Sequence, residues 1–161
     1  MVVLRRSFLA GLGLAAAGLA LGVVRKAQAA EAGAGPSAWP PVPGAGLRAG
    51  VFVHVGLDGQ VTIVCHRSEM GQGVRSSLPV LIADELGADM ARVTVVQGDG
   101  DKAYGDQNTD GSSSVRKRFG DLRAAGAAAR MMLISAAAAR WKVDPRSCEA
   151  HDHQVFHTGT R

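Results

Sequence analysis

The chain has few of the residues that identify most folds at sight. Two cysteines, Cys65 and Cys148, occur in 161 residues, so it cannot ligate an iron–sulfur cluster, which takes about four. They could form at most one disulfide, and nothing in the sequence brings them together. Cys65 falls in an alternating apolar strand and reads as a small buried hydrophobe. Aromatics are scarce, with two Trp, one Tyr and four Phe, while glycine is abundant at 21. A core of that kind relies on small-residue contacts in a turn-rich unit, and the length suits one domain. A basic surface is also lacking. The net charge of +4 sits in Arg5, Arg6, Arg25 and Lys26, and without these four the remaining 14 bases face 14 acids. A neutral domain gives no support for a binder of phosphate backbones, so no nucleic-acid partner is expected.

The leader comes first among the features that are present. Arg5-Arg6-Ser7-Phe8 precedes an apolar run from Ala10 to Val24 and a small-x-small site at Ala27-Gln28-Ala29. This is the pattern of a twin-arginine signal peptide over residues 1–29, cleaved after Ala29. The competing reading is an amino-terminal membrane anchor. The run is short for a span of about 20 residues and is interrupted by four glycines, so no stable span is expected after cleavage. A twin-arginine route exports folded proteins, so the chain is expected to fold before it reaches the periplasm. Residues 30–50, rich in Ala, Gly and Pro, read as a linker.

Residues 51–161 read as the ordered part. Val51–Val55 and Val61–Cys65 flank Asp58-Gly59 as a β-hairpin. Val74, Leu78, Leu81, Ile82 and Leu86 recur at helical spacing and stop at Gly87. Pro79 inside this pattern predicts a kink near Arg75 or a helix that begins only around Ser77. A third strand runs from Arg92 to Gln97, followed by a long polar loop from Gly98 to Gly111. The second helix runs from about Ser113 or Val115 to Trp141, burying Leu122, Ala125, Ala129, Leu133 and Ala136. Asp144-Pro145 starts a short turn, and a last hairpin crosses Asp152-His153. The order β-β-α-β-α-β predicts an α+β fold, a small mixed sheet with two helices packed on one face.

Two small-residue turns stand out. Ser68-Glu69-Met70-Gly71-Gln72-Gly73-Val74-Arg75 leads into the first helix, and Gly111-Ser112-Ser113-Ser114-Val115-Arg116 into the second. Turns of this kind leave outward amides that can hold an anion or a polar heterocycle, and two of them suggest one ligand gripped from two sides. The bland reading of each is an ordinary helix cap. Gln72 can donate and accept at once, while the serines offer hydroxyls beside successive amides.

Together with the strand Val93-Thr94-Val95-Val96, this ordered pair of motifs resembles the molybdopterin-binding large subunit of the xanthine dehydrogenase and aldehyde oxidase superfamily, in particular beta subunits of the isoquinoline 1-oxidoreductase type. The resemblance runs from about Val51 to Val155 and makes the chain part of a larger molybdopterin-binding domain. It implies a molybdenum–molybdopterin cofactor in the cytosine dinucleotide form, contacted by Met70, Gly71, Gln72 and Gly73 and by Ser113, Ser114 and Val115. Arg116 would be a supplementary cation, and Asp110, where many relatives carry glycine, a charge that opposes a phosphate. It further implies oxidation of N-heterocycles or aldehydes with water as the oxygen source. Electrons would pass to a [2Fe–2S] small subunit and to a c-type cytochrome as acceptor. No catalytic residue is assigned, because the family's glutamate base lies far toward the carboxyl end. Glu69 is instead expected to orient its turn by hydrogen bonding. Relatives are several times longer, so the chain reads as a truncated product, inactive alone. The rival is a non-catalytic periplasmic module that keeps both turns only as structure.

Three look-alikes are set aside. Gly98-Asp99-Gly100 opens no helix, and Ala103 and Tyr104 spoil an EF-hand pattern over Asp99, Asp101 and Asp110. Cys148, His151, His153 and His157 read as a polar hairpin rather than a metal cluster.

Overall fold

The computed structural model describes residues 3–4 and 45–160. Apart from Val3–Leu4, the expected leader, and the expected linker up to residue 44, lie outside the described residues. The strands are β1 (Val3–Leu4), β2 (Gly46–Ala49), β3 (Val53–Gly56), β4 (Val61–Cys65), β5 (Val93–Gln97), β6 (Cys148–His151) and β7 (Gln154–His157). The helices are α1 (Val74–Leu86) and α2 (Ser114–Trp141).

The expected hairpin is β3–β4, antiparallel with Val53 opposite Ile63 and Val55 opposite Val61. Asp58 closes its turn by accepting the Gln60 N–H at 3.0 Å. β5 joins β4 in parallel, Ile63 beside Val95, after a crossover through α1. β2 pairs antiparallel with the other edge of β3 and completes a mixed sheet ordered β2-β3-β4-β5. Gly46–Ala49 stands at the end of the stretch that composition marked as linker. Its strand forms because β3 offers an open edge and Ala49 can be buried there.

Val53, Val55, Val61, Ile63 and Cys65 share one sheet face and pack against Leu78, Ile82 and Leu86 of α1 and Leu133 and Ala137 of α2. This is the expected small mixed sheet with two helices on one face. α2 buries Leu122, Gly126, Ala129, Leu133, Ala137 and Ala138, while Ala125 and Ala136 flank the contact. Gly126 sits where the helices cross, and a Cβ there would collide with the Ile82 carbonyl oxygen. By length and composition α2 could cross a membrane, yet its apolar stripe lies along α1 and the sheet, as in a core helix.

Two differences from the sequence reading have physical causes. α1 runs unbroken from Val74 with Pro79 inside it, rather than beginning at Ser77. Its first turn is held by the Glu69 carboxylate, which offsets what the proline removes. The last hairpin forms a separate sheet with β7 between β1 and β6, not a further strand of the main one. It turns at Asp152 and His153, both at positive φ, and His153 is buried. The His153 ring accepts the Asp89 N–H on Nδ1 at 3.2 Å, so Nε2 is the protonated nitrogen and donates to the Gly59 carbonyl at 2.7 Å. That clamp ties the hairpin to the β3–β4 turn and to the end of α1.

Candidate functional site

The first corner grows out of the end of β4. Cys65 is buried, a free thiol that donates to the Arg67 carbonyl at 3.5 Å, and burial pushes its pKa up. Cys148 is likewise free and buried, donating to the Asp144 carbonyl. Beyond Arg67 the chain turns outward, with Gly71 and Gly73 at φ 95° and 84°. A side chain on either glycine would be strained by its dihedral, although space around both is open.

The amides of this corner do not point free into solvent, as the turn pattern predicted. Glu69 accepts Gly71 N–H at 2.7 Å, Gly73 N–H at 2.9 Å and Arg75 N–H at 2.9 Å. These backbone donors, Arg75 first, hold its carboxyl below the usual range. Glu69 thus orients the turn, and a side-chain anion from within the loop fills the nest at the start of α1. Gln72 is also folded inward. Its Oε1 accepts the Met70 N–H at 2.6 Å and its Nε2 donates to the Ser68 carbonyl at 2.9 Å. The Met70 side chain stands 69% exposed on the outer surface of the corner.

The second corner differs. Gly111 and Ser112 take positive φ, and Ser113 is the N-cap of α2. Ser113 is buried, and its hydroxyl donates inward to the Asp110 carbonyl at 2.8 Å, as does its own N–H at 3.0 Å. The Ser113 hydroxyl therefore faces inward, which leaves its part of the expected cradle to the backbone at the helix start. Ser113 makes no side-chain cap, so the opening turn of α2 at Ser114 and Val115 gets none of the bonding that Glu69 gives α1.

The two corners share one edge of the fold. Thr109 donates its hydroxyl to the Ser68 carbonyl at 3.0 Å, joining one loop to the other. Beneath them the Arg67 guanidinium lies 3.0 Å from Asp106 Oδ2. The Asn108 N–H and then Arg67 hold the Asp106 carboxyl below its usual value. Around this pair sit buried His66 and Tyr104, with Phe52 against both rings. Burial, then the charges of Arg118 and Arg67, lower the His66 pKa to about 4. Arg67, His66 and Asp106 belong to no motif recognised in the sequence, and no local pattern relates Arg67 to Asp106.

Of the look-alike residues, Asp110 enters the second corner, accepting the Ser113 hydroxyl on its carbonyl and on Oδ1. Asp101 caps the short turn Lys102–Tyr104 by accepting Ala103 N–H at 2.7 Å. Among the described residues no group of three or more His, Cys, Asp or Glu is placed to hold a metal ion.

With this geometry in view, the comparisons with known proteins are specific. The beta subunit of isoquinoline 1-oxidoreductase from Brevundimonas diminuta is 38% identical over 164 residues, covering 98% of this chain and 20% of the relative. The B subunit of nicotinate dehydrogenase from Pseudomonas putida is 32% identical over 106 residues, covering 66% of the chain and 9% of the relative. A membrane-bound aldehyde dehydrogenase (pyrroloquinoline-quinone) of Gluconacetobacter polyoxogenes is 34% identical over 98 residues, covering 61% of the chain and 13% of the relative. The chain thus spans a fifth or less of the length of these relatives. A molybdopterin cofactor-binding domain model matches residues 8–161, nearly the whole chain, and the chain belongs to that family.

Proposed function

We propose that this chain forms one wall of the molybdopterin site in the large subunit of an exported, periplasmic bacterial molybdenum hydroxylase. The observation that carries the proposal is the shared edge of the two corners, joined by Thr109 to Ser68 and by Arg67 to Asp106. One elongated guest can touch both.

The residues present fit such a group. The glycine backbone at Gly71, Gly73 and Gly111 is open, with nothing within 4 Å of an added Cβ. Close approach of a planar heterocycle needs that openness. At the first corner the contacts would come from Met70, from the backbone of Gly71 and Gly73, and from the Gln72 carboxamide, which keeps one N–H beyond its bond to Ser68. The Glu69 carboxylate keeps an anion away from that corner. At the second, the start of α2 at Ser113, Ser114 and Val115 lacks a side-chain cap and offers its amides to the anionic tail, with Arg116 nearby in sequence and the Asp110 carboxylate, 3.2 Å from the Ser113 hydroxyl, opposing it. When bound, the cofactor, in its cytosine dinucleotide form, would supply the two-electron redox chemistry. This chain's own share is to bind, orient and shield it.

Substrate and partners follow from the relatives. Two of them are named for isoquinoline and nicotinate and the third for aldehydes, which favours an N-heterocycle or aldehyde oxidised with water as the oxygen source. Two relatives are named as subunits, which supports a partner subunit; the family resemblance makes that partner a [2Fe–2S] small subunit, with a c-type cytochrome as acceptor.

The test is cofactor retention. The chain is made in a host that synthesises the cofactor, alone and together with the remaining large-subunit portion of a relative, and molybdenum and released cytidine monophosphate are measured. Alone it should hold far less than stoichiometric molybdenum and not turn over. With the complementing portion both signals should rise, and Gln72→Ala should lower them. The inward fold of Gln72 also suits a module in which the turns are only structure; in that case Gln72→Ala changes nothing and complementation adds no molybdenum.

A further inference from the structure

The Arg67 side chain is fully buried, yet only one of its three nitrogens meets a side-chain partner, Asp106 Oδ2 at 3.0 Å. Its Nε and Nη1 find no acceptor among the described residues. A guanidinium buried in this way is a poor source of stability, since a well-packed apolar side chain of similar volume would do as well or better. Its value must lie in where it holds things. Arg67 is anchored at the end of β4, with its carbonyl accepting from Gln97 Nε2 at 3.3 Å and from Cys65 Sγ. The first corner begins at the next residue. Asp106 is a junction of its own. Its Oδ1 accepts the Asn108 N–H at 3.1 Å, and its carbonyl accepts Arg118 Nη2 of α2 at 3.1 Å. The second corner follows a few residues later. The ion pair therefore links the bases of the two corners across 39 residues of sequence.

We propose that Arg67 and Asp106 are positioning residues, a brace buried at Arg67 and exposed at Asp106 that sets the separation of the two corners and so the spacing at which the cofactor is gripped. This rests on the cofactor reading given under Proposed function. A ligand held from two sides loses its contacts when either wall drifts, and a misplacement of about 1 Å can cost about 100-fold in a positioned reaction. Neither residue is a member of the apolar core of Ile63, Leu78, Ile82 and Leu133, and Asp106 is exposed, so spacing and global stability can be separated by experiment.

The experiment places spin labels at Met70→Cys and Ser112→Cys, both exposed, in the full chain, where Cys65 and Cys148 are buried. Electron–electron double resonance then reads the distance across the corners. A single narrow distribution is expected in the parent. Asp106→Asn should broaden it about twofold, well beyond the broadening in Leu133→Ala, a core variant that lowers the thermal midpoint as far, as local opening predicts, and Asp106→Glu should restore most of the narrowing. Arg67→Gln should broaden it equally; if that variant fails to fold, the Asp106 pair decides alone. An unchanged distribution in Asp106→Asn overturns the brace, and so does broadening that merely follows a loss of global stability. A narrow distribution in the labelled chain, with no molybdenum gain when the unlabelled parent is complemented, overturns the cofactor reading and leaves the brace standing.

Discussion

Thr109 Oγ1 donates to the carbonyl of Ser68 at 3.0 Å, a hydrogen bond that joins residues 41 positions apart. It places the long loop after β5 against the glycine turn after β4, and it makes two helix starts into neighbours. The loop is otherwise pinned by Asp106 to Arg67 and by Gln107 Nε2 to the Asp101 carbonyl at 2.8 Å. A polar stretch of this length owes its order to such side-chain bonds, because it has few apolar residues to bury.

Glu69 caps α1 from the preceding turn, and its carboxyl lies below its ordinary value of 4.5. A depressed carboxylate stabilises the fold in full above pH 4.5 and loses that contribution as pH falls through its lower folded value. Glu69→Gln should lower the urea midpoint at pH 7 and flatten the acid limb of the stability curve. An unchanged midpoint would show that the three amide bonds do not matter.

His66 gives a pH dependence in a different window. Its ring is buried, and in the folded chain its pKa is about 4 against an ordinary 6.5. The unfolded chain therefore binds the extra proton first, so stability is complete above pH 6.5 and declines as pH falls towards 4. The loss should reach about 3 kcal/mol. His66→Phe should remove this slope between those values, as urea titrations at stepped pH would show.

Gly126 permits the crossing of α1 and α2. Helix propensity alone favours Gly126→Ala by about 1 kcal/mol. The collision of its Cβ with the Ile82 carbonyl oxygen, and its approach to Glu85 Cβ at 2.9 Å, oppose that gain. The expected net effect is a loss of about 1–3 kcal/mol, read by denaturant unfolding. A stabilised variant would place the two helices farther apart than described.

His153 clamps the last hairpin through both ring nitrogens. His153→Ala leaves the buried Gly59 carbonyl without this donor and opens a cavity, at a cost of about 2–4 kcal/mol. Hydrogen exchange should rise in residues 148–157 and at Asp89 before it rises at Ile63. Uniform exchange would mean that the hairpin and the main sheet open as one unit.

Much of the fold can be read from local pattern. Alternating valines around Asp58-Gly59 dictate β3–β4, and apolar residues three and four apart dictate α1 and α2, since each element must present one face to a core. The glycine turn announces itself through composition, because few other residues tolerate its dihedrals, and the serine turn through the common use of serine before a helix. What a turn's amides bond to is another matter. Whether Glu69 or an outside ligand fills the nest depends on how a side chain reaches back along its own loop. That β2 pairs with β3, that His153 goes inward, and that Arg67 meets Asp106 and Thr109 meets Ser68 were settled by tertiary structure alone. Each joins residues that no periodicity relates, and each depends on where a buried polar group finds a partner once the core has closed.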